Sequence, residues 1–130
     1  AIFMTEASQE LTPYLTSIFS RKPRSVTAID VSTLTSYTDR LIIVEAGSHR
    51  QVTSLAEHIV TRLKSQKINP LGTEGIKEGE WALLDYGACI IHIFETGAKS
   101  FYDLEGLWSD APRLDLSEFD PSLKAPGEAP

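Results

Sequence analysis

Cysteine is nearly missing from this chain of 130 residues, in which Cys89 is the only one. A single cysteine cannot close an internal disulfide, and it cannot supply the Cys-x-x-Cys ligands of a zinc knuckle. Long apolar runs are missing as well, because none approaches the roughly 18–20 residues that a membrane-spanning helix needs. These absences predict a reducing, cytoplasmic location without a membrane anchor, in which Cys89 serves as a small buried apolar residue.

Positive charge is also scarce, with 12 Lys and Arg against 18 Asp and Glu and a formal net charge of −6. Direct, sequence-specific binding of nucleic acid needs clustered basic residues, so this balance argues against it. The signs are unevenly placed, since residues 21–67 hold eight bases against four acids. Residues 74–95 hold a single base, Lys77, and the acids Glu74, Glu78, Glu80, Asp85 and Glu95. This acidic segment suits a basic protein partner.

Length and composition predict one folded domain. Apolar residues make up 42% of the chain and charged residues 23%, both ordinary for a globular protein. Met4 is the only methionine, so we expect it to be the native start, with residues 1–3 a remnant of expression and no secretory signal behind it. The domain is predicted over residues 4–111. Four prolines and no periodicity beyond Asp110 predict a flexible, acidic tail over residues 112–130.

The first half of the domain predicts two helices and two strands. Apolar residues at helical spacing predict a helix over residues 12–21, with Thr12 as its cap. Residues 25–31 and 40–45 predict strands, and the β-branched run of the second is typical of a strand covered on both faces. Ser48 then caps a long helix, which a proline and a glycine end.

The second half of the domain predicts the remaining strands of the sheet and a last helix. Residues 71–74 follow the helix and complete a βαβ unit with a right-handed crossover. Residues 80–94 predict a β-hairpin around the turn 85–88, where Gly87 suits a positive φ. Residues 99–108 predict a last short helix with apolar residues at helical spacing. Together the elements predict an α/β domain of two or three layers.

The turn Ala46-Gly47-Ser48 is a candidate for chemistry because it opens a helix, where unpaired amides favour anions. It resembles the phosphate-side Gly-Ser turn of nucleotidyltransferases, which also need two close carboxylates to hold Mg²⁺. The chain has no Asp-x-Asp pair, and the next acid after Ser48 is Glu57 inside the helix. The pattern therefore favours a capped helix over a catalytic centre, and we expect no cofactor or metal.

The histidine and serine residues do not form a better candidate for a metal site or a catalytic centre. His92 lies in the middle of an apolar strand, a setting typical of a hydrogen-bonded core residue, and no second ligand is spaced to complete a zinc site. Ser48, His92 and Asp85 can be drawn as a catalytic triad, but no Gly-x-Ser-x-Gly motif supports it. Neither pattern predicts an enzyme.

The segment 74–86 combines acids with aromatic residues. Protein interfaces favour a Trp or Tyr anchor ringed by polar groups, and an acidic rim steers a basic partner toward it. The residues by themselves equally allow a core tryptophan beneath a solvated acidic loop. The candidate partner-binding residues are Glu74, Glu78, Glu80, Trp81, Asp85 and Tyr86.

Several short segments occur in one order over roughly residues 10–111. They are Asp30-Val31-Ser32, Thr38-Asp39 before an apolar strand, Ser48-x-Arg50-Gln51-Val52, Pro70-Leu71-Gly72-x-Glu74-Gly75, Glu80-Trp81-x-Leu83-Leu84-Asp85-Tyr86-Gly87, His92-Ile93-Phe94 and Phe101-Tyr102-Asp103-Leu104-Glu105-x-Leu107-Trp108. Together they closely resemble the Iojap family, also known as ribosome silencing factor RsfS. Each segment alone is a weak signal, whereas all of them in register are specific. Ala46 departs from the pattern, because the family usually has Gly there.

The resemblance implies a nucleotidyltransferase-like α/β fold, with a mixed β-sheet flanked by helices and without the catalytic acids. It implies a non-enzymatic protein that binds the large ribosomal subunit through ribosomal protein L-fourteen. Such a protein sterically blocks the small subunit and represses translation under nutrient limitation, without a cofactor. Members can also form homodimers.

The resemblance also assigns roles to the candidate residues. Trp81 matches the family's tryptophan on the partner-facing hairpin, which implies that it is the anchor, with Tyr86 beside it. The acids are then counterparts of Lys and Arg on the basic ribosomal protein. One alternative hypothesis, motivated by Gly47-Ser48, is a nucleotidyltransferase-like nucleotide-binding protein or enzyme. Another, which the acidic rim alone allows, is a general adaptor that binds several partners through Trp81.

Overall fold

A computed structural model of the protein describes residues 9–120. Its helices and strands follow the order that the hydrophobic pattern predicts. In chain order they are α1 (Thr12–Phe19), β1 (Ser25–Asp30), β2 (Arg40–Ala46), α2 (His49–Ser65), β3 (Gly72–Glu74), β4 (Trp81–Asp85), β5 (Cys89–Glu95), α3 (Thr96–Tyr102) and α4 (Leu104–Leu107).

The strands form one five-stranded sheet in the order β1-β2-β5-β4-β3. The central pair, β2 and β5, is parallel, whereas the other neighbours are antiparallel. The predicted α/β class with a mixed sheet flanked by helices is therefore confirmed. The hairpin of β4 and β5 is also present, and Gly87 in its turn has a φ of 86°.

The neighbour of β2 differs from the prediction. The parallel partner of β2 is β5, while β3, which holds the predicted returning segment, pairs with β4 at the edge of the sheet. All three residues of β3 are exposed, whereas β5 is buried along almost its whole length. A continuous apolar strand is most stable at the centre of a sheet, so β5 rather than β3 lies beside β2.

The helix starts are partly as predicted. Ser48 caps α2, because its Oγ accepts a hydrogen bond from the Gln51 amide at 3.1 Å. The prediction of Thr12 as the cap of α1 is wrong, since Leu11 occupies that position and Thr12 is already helical. Leu11 is buried and its carbonyl accepts from the Leu15 amide at 2.8 Å, so core packing starts the helix one residue earlier.

Both faces of the sheet carry a core. One face packs against α1 and α2 and includes Ile42, Ile91 and Ile59. The opposite face is covered by α3, α4 and the side chain of Trp108. Cys89 belongs to the first core and is 2% exposed, and this burial raises the pKa of its thiol to about 12, as expected for a structural cysteine.

Residues 112–120 do not form the predicted flexible tail, and for this segment the prediction is wrong. The Asp30 amide donates to the Pro112 carbonyl at 2.9 Å, and the Leu114 amide donates to the Ala28 carbonyl at 2.8 Å. Leu114 and Leu116 are buried in the first core. The segment thus covers the outer edge of β1 with two apolar side chains, a signal too short to show periodicity. Residues 121–130 lie outside the described residues.

Within residues 9–120, no helix is long and apolar enough to cross a bilayer.

Candidate partner-binding surface

Trp81 is positioned by a buried histidine. It opens β4 opposite Phe94 of β5, and its indole Nε1 donates a hydrogen bond to His92 Nδ1 at 3.0 Å. His92 is 5% exposed, and burial lowers its pKa to about 4, so its ring is neutral at physiological pH. A neutral ring leaves Nδ1 free to accept, which orients the indole. The predicted role of His92 as a hydrogen-bonded core residue is confirmed.

A chain of aromatic rings leads from the core to the surface at this place. The Trp81 ring lies 4.7 Å from the buried Phe94 ring and 4.8 Å from the Tyr102 ring, between centroids. Tyr102 in turn contacts Phe101 edge-on at 5.0 Å. Phe101 is 80% exposed, so the rings end in an exposed apolar patch of Phe101 and Tyr102 on α3. Leu107 of α4 is 75% exposed.

Sequence reasoning missed this patch. The predicted helix over residues 99–108 placed Phe101 and Leu107 on its apolar stripe, whereas the structure divides this stretch at Asp103, which has a φ of 46°. The Asp103 side chain accepts from the Gly106 amide at 3.2 Å and starts α4 as a separate helix. The Asp-Leu-Glu-Gly sequence is the signal that could have indicated this second cap.

Acidic residues border the tryptophan. Glu74 of β3 pairs with Leu83 of β4, and together with Gly75 and Trp81 they line a shallow depression of about 270 Å³. Glu80 directly precedes Trp81 and is exposed, as is Glu78. We use the term Trp81 surface for the set Trp81, Tyr102, Phe101, Glu74 and Glu80.

Tyr86 and Asp85 lie at the other end of β4 from Trp81. Side chains alternate along β4, so Trp81 and Tyr86 project to opposite faces of the sheet. Tyr86 packs against Tyr14 of α1 at 5.3 Å, and burial raises the pKa of its phenol to about 12. Asp85 Oδ1 accepts from the Gly87 amide at 2.8 Å and thereby closes the hairpin turn. The expectation that Tyr86 lies beside Trp81 is therefore wrong.

The candidate catalytic groups serve other purposes. Ser48 caps α2, His92 accepts from Trp81 and Asp85 closes the hairpin turn, so each member of the drawn triad is engaged with a different partner. Within residues 9–120, no group of three or more His, Cys, Asp or Glu side chains is placed to hold a metal ion.

Fold and surface together define the class: an α/β domain on a mixed five-stranded sheet, with an aromatic patch and an acidic border beside its hairpin. A family model described as ribosomal silencing factor during starvation matches residues 5–129. The chain belongs to this family, RsfS, whose predicted resemblance is thereby confirmed.

Individual relatives agree with the family assignment. The ribosomal silencing factor RsfS of Chromobacterium violaceum is 36% identical over 87 residues, which cover 67% of this chain and 71% of that protein. The chloroplastic protein Iojap of Arabidopsis thaliana is 28% identical over 101 residues, covering 78% of this chain and 42% of that protein. A crystal structure of a Chromobacterium violaceum protein is similar with a TM-score of 0.72 at 33% identity, covering 78% of this chain and 85% of that one.

Proposed function

We propose that this protein binds the large ribosomal subunit through ribosomal protein L-fourteen and sterically blocks the small subunit from joining. Translation then falls when nutrients are limited. The observation that carries the proposal is the Trp81 surface, in which an oriented tryptophan meets an exposed apolar patch and an acidic border. Membership of a family described as a silencing factor during starvation supports the same function. Occlusion needs neither a cofactor nor turnover.

Trp81 suits the role of anchor because it is fixed before binding. His92, Phe94 and Tyr102 hold the indole from within the protein, while part of the ring faces the depression beside Glu74. A side chain that already has one orientation loses little conformational entropy in a complex. Preoriented aromatic residues at the centre of an interface typically contribute most of its binding free energy.

The acidic border suits a basic ribosomal protein. Glu74, Glu78 and Glu80 are exposed, and within residues 9–120 none of them forms an ion pair. Carboxylates without internal partners are available to Lys and Arg of a second protein. Such complementary charge accelerates association and fixes orientation, while the aromatic patch supplies apolar burial.

Sucrose-gradient sedimentation of ribosomal subunits with added protein tests the proposal. We expect the protein to migrate with the large subunit and to reduce the fraction of joined ribosomes. Trp81→Ala should weaken both effects, since loss of a central aromatic costs about 2–4 kcal/mol, or roughly 30-fold or more in affinity. Unchanged joining at saturating wild-type protein would contradict the blocking mechanism.

Two further variants separate binding from folding. Glu74→Lys reverses a charge on the exposed edge strand without touching the core, and it should weaken binding most at low salt. Tyr37→Ala is a matched control, because Tyr37 is an aromatic residue that is 58% exposed in the loop before β2, at the opposite end of the sheet from Trp81. We expect this control to bind and block as the wild type does.

A further inference from the structure

A second concave site lies beside the amino end of α2. It is a pocket of about 430 Å³ between the segment that leads into β1 and the first turns of α2. This volume lies within the range of small-ligand sites, so the pocket holds more than a single ion. Its polar lining includes Arg21, Lys22, Arg24, Gln51 and Ser54, and Leu55 contributes an apolar wall.

The pocket is strongly basic although the whole chain is acidic. Three cations from one short segment line it, and among the described residues 9–120 no Asp or Glu lines it. In the part of the chain from residue 9 to 120, no carboxylate pairs with Arg21, Lys22 or Arg24. The less exposed cations Arg40 and Lys99 do have such partners. Three unneutralised cations around one cavity attract an anion of more than one charge.

The side chains of Arg24 and Gln51 meet over Gly47, which has no side chain. A Cβ at Gly47 would lie 2.8 Å from Gln51 Oε1 and 3.0 Å from Arg24 Nε, so a larger residue there would require the ends of these two side chains to shift. The guanidinium of Arg24 and the amide of Gln51 therefore close over the same turn. A guanidinium matches the oxygens of a phosphate group in a bidentate arrangement.

We propose that this pocket binds the phosphate of a nucleotide, presented either by a free mononucleotide or by a strand of RNA. Arg24, with Arg21 and Lys22, would hold the phosphate. Gln51 and Ser54 offer hydrogen bonds to a ribose, and Leu55 offers an apolar contact. The amino end of α2 adds a favourable field for an anion, although the cations and the cavity carry the argument.

The position of the pocket makes an RNA strand reachable from a docked state. Ser25, Glu45, Phe94 and Trp81 form one continuous row of paired residues across β1, β2, β5 and β4. Three strand spacings of about 4.8 Å place Trp81 roughly 14 Å from the residue that follows Arg24. The pocket and the Trp81 surface thus lie at the same end of the sheet.

Titration of the isolated protein at low salt tests the site without a ribosome, so its outcome is independent of the proposed function. The probes are ADP and a short single-stranded oligouridylate, observed by amide chemical shifts, with inorganic phosphate as a competitor. We expect at least one probe to shift the amides of Gly47 and Gln51 and phosphate to displace it. Binding of ADP identifies a small-molecule site, and binding of the oligonucleotide alone identifies an RNA site.

Arg24→Gln removes the central cation at an exposed position and should weaken binding by about tenfold or more, as expected for a charge-assisted contact. Gln51→Glu introduces a carboxylate into the pocket and should have the same effect, while a negative charge in the first turn of α2 preserves the helix. Lys64→Gln, an exposed cation near the other end of α2, is the matched control and should bind as the wild type. The proposal is overturned if neither probe binds at millimolar concentration, if phosphate does not compete, or if both pocket variants bind as the wild type.

Discussion

The imidazole of His92 lies beneath the indole of Trp81 and accepts its hydrogen bond, so a buried residue positions an interface residue. The contact depends on an unprotonated Nδ1, which burial guarantees at neutral pH by lowering the pKa of His92 to about 4. A histidine in an unfolded chain has a pKa of about 6.5. The geometry of the Trp81 surface therefore depends on the protonation state of His92.

His92 should make the folded state less stable in acid. Between pH 6.5 and about 4 the unfolded chain binds a proton that the folded chain excludes, so the free energy of unfolding falls as the pH drops through this window. From pH 7 to pH 5 we expect a loss of about 2 kcal/mol from this residue. Urea unfolding at both pH values measures it. His92→Gln keeps a hydrogen-bond acceptor but does not titrate, and should lack this part of the pH dependence.

His49→Gln is the matched control for this experiment, because His49 is an exposed histidine at the start of α2. It should retain the pH dependence of the wild type. Equal pH dependence of wild type and His92→Gln would show that His92 does not titrate as its burial requires.

At the scale of elements, α3 and α4 each pack one side on the core and expose an apolar side chain on the other. Their inner residues, Ala98 and Leu104, pack on the second core, while Phe101 and Leu107 face solvent. Asp103 divides the two helices, and Phe101 is joined to Trp81 through the ring of Tyr102. Large apolar side chains that are mostly exposed to solvent are typical of a surface that binds a partner.

The double variant Phe101→Ser and Leu107→Ser should separate stability from binding. Both side chains are at least 75% exposed, so the free energy of unfolding should change by less than about 1 kcal/mol. Co-sedimentation with the large ribosomal subunit should nevertheless weaken, because the apolar patch is lost. Leu34→Ser, which changes a leucine that is 48% exposed in the loop after β1, is the control. Full binding by the double variant would limit the interface to the hairpin.

At the scale of the whole molecule, the segment after α4 completes the fold. It lies along the free edge of β1 and inserts Leu114 and Leu116 into the core between the sheet and the helices. An open edge strand would otherwise present unpaired backbone groups to other chains. The net charge of −6 is the sum of regions of opposite sign, because a basic pocket and an acidic border both lie at one end of the sheet.

Leu114→Ala should destabilise the domain by about 2–4 kcal/mol, because it removes buried methyl groups and leaves a cavity. Urea unfolding monitored by tryptophan fluorescence measures the change. Glu118→Ala, at an exposed position in the same segment, should leave the free energy of unfolding within about 0.5 kcal/mol of the wild type. A Leu114→Ala protein as stable as the wild type would show that the segment does not dock in solution.

Sequence patterns predicted the local structure well. Helical spacing before Phe19, the Ser48 cap and the apolar run at the start of β2 each depend on residues close together in the chain, and the structure confirms all three. The burial of Cys89 and the hydrogen-bonded state of His92 follow from the same local patterns. Family membership was also readable from the sequence, because it rests on the order of short segments.

Only the tertiary structure decided which distant residues meet. Strand order placed β5 rather than β3 beside β2, and the pleat of β4 sent Tyr86 to the face opposite Trp81. Arg24 meets Gln51 at the pocket, and Phe101 is joined to Trp81 through Tyr102. Each of these groups brings together segments that are far apart in the chain. Such contacts depend on how the faces of separate elements pack, which the spacing of residues within one element does not encode.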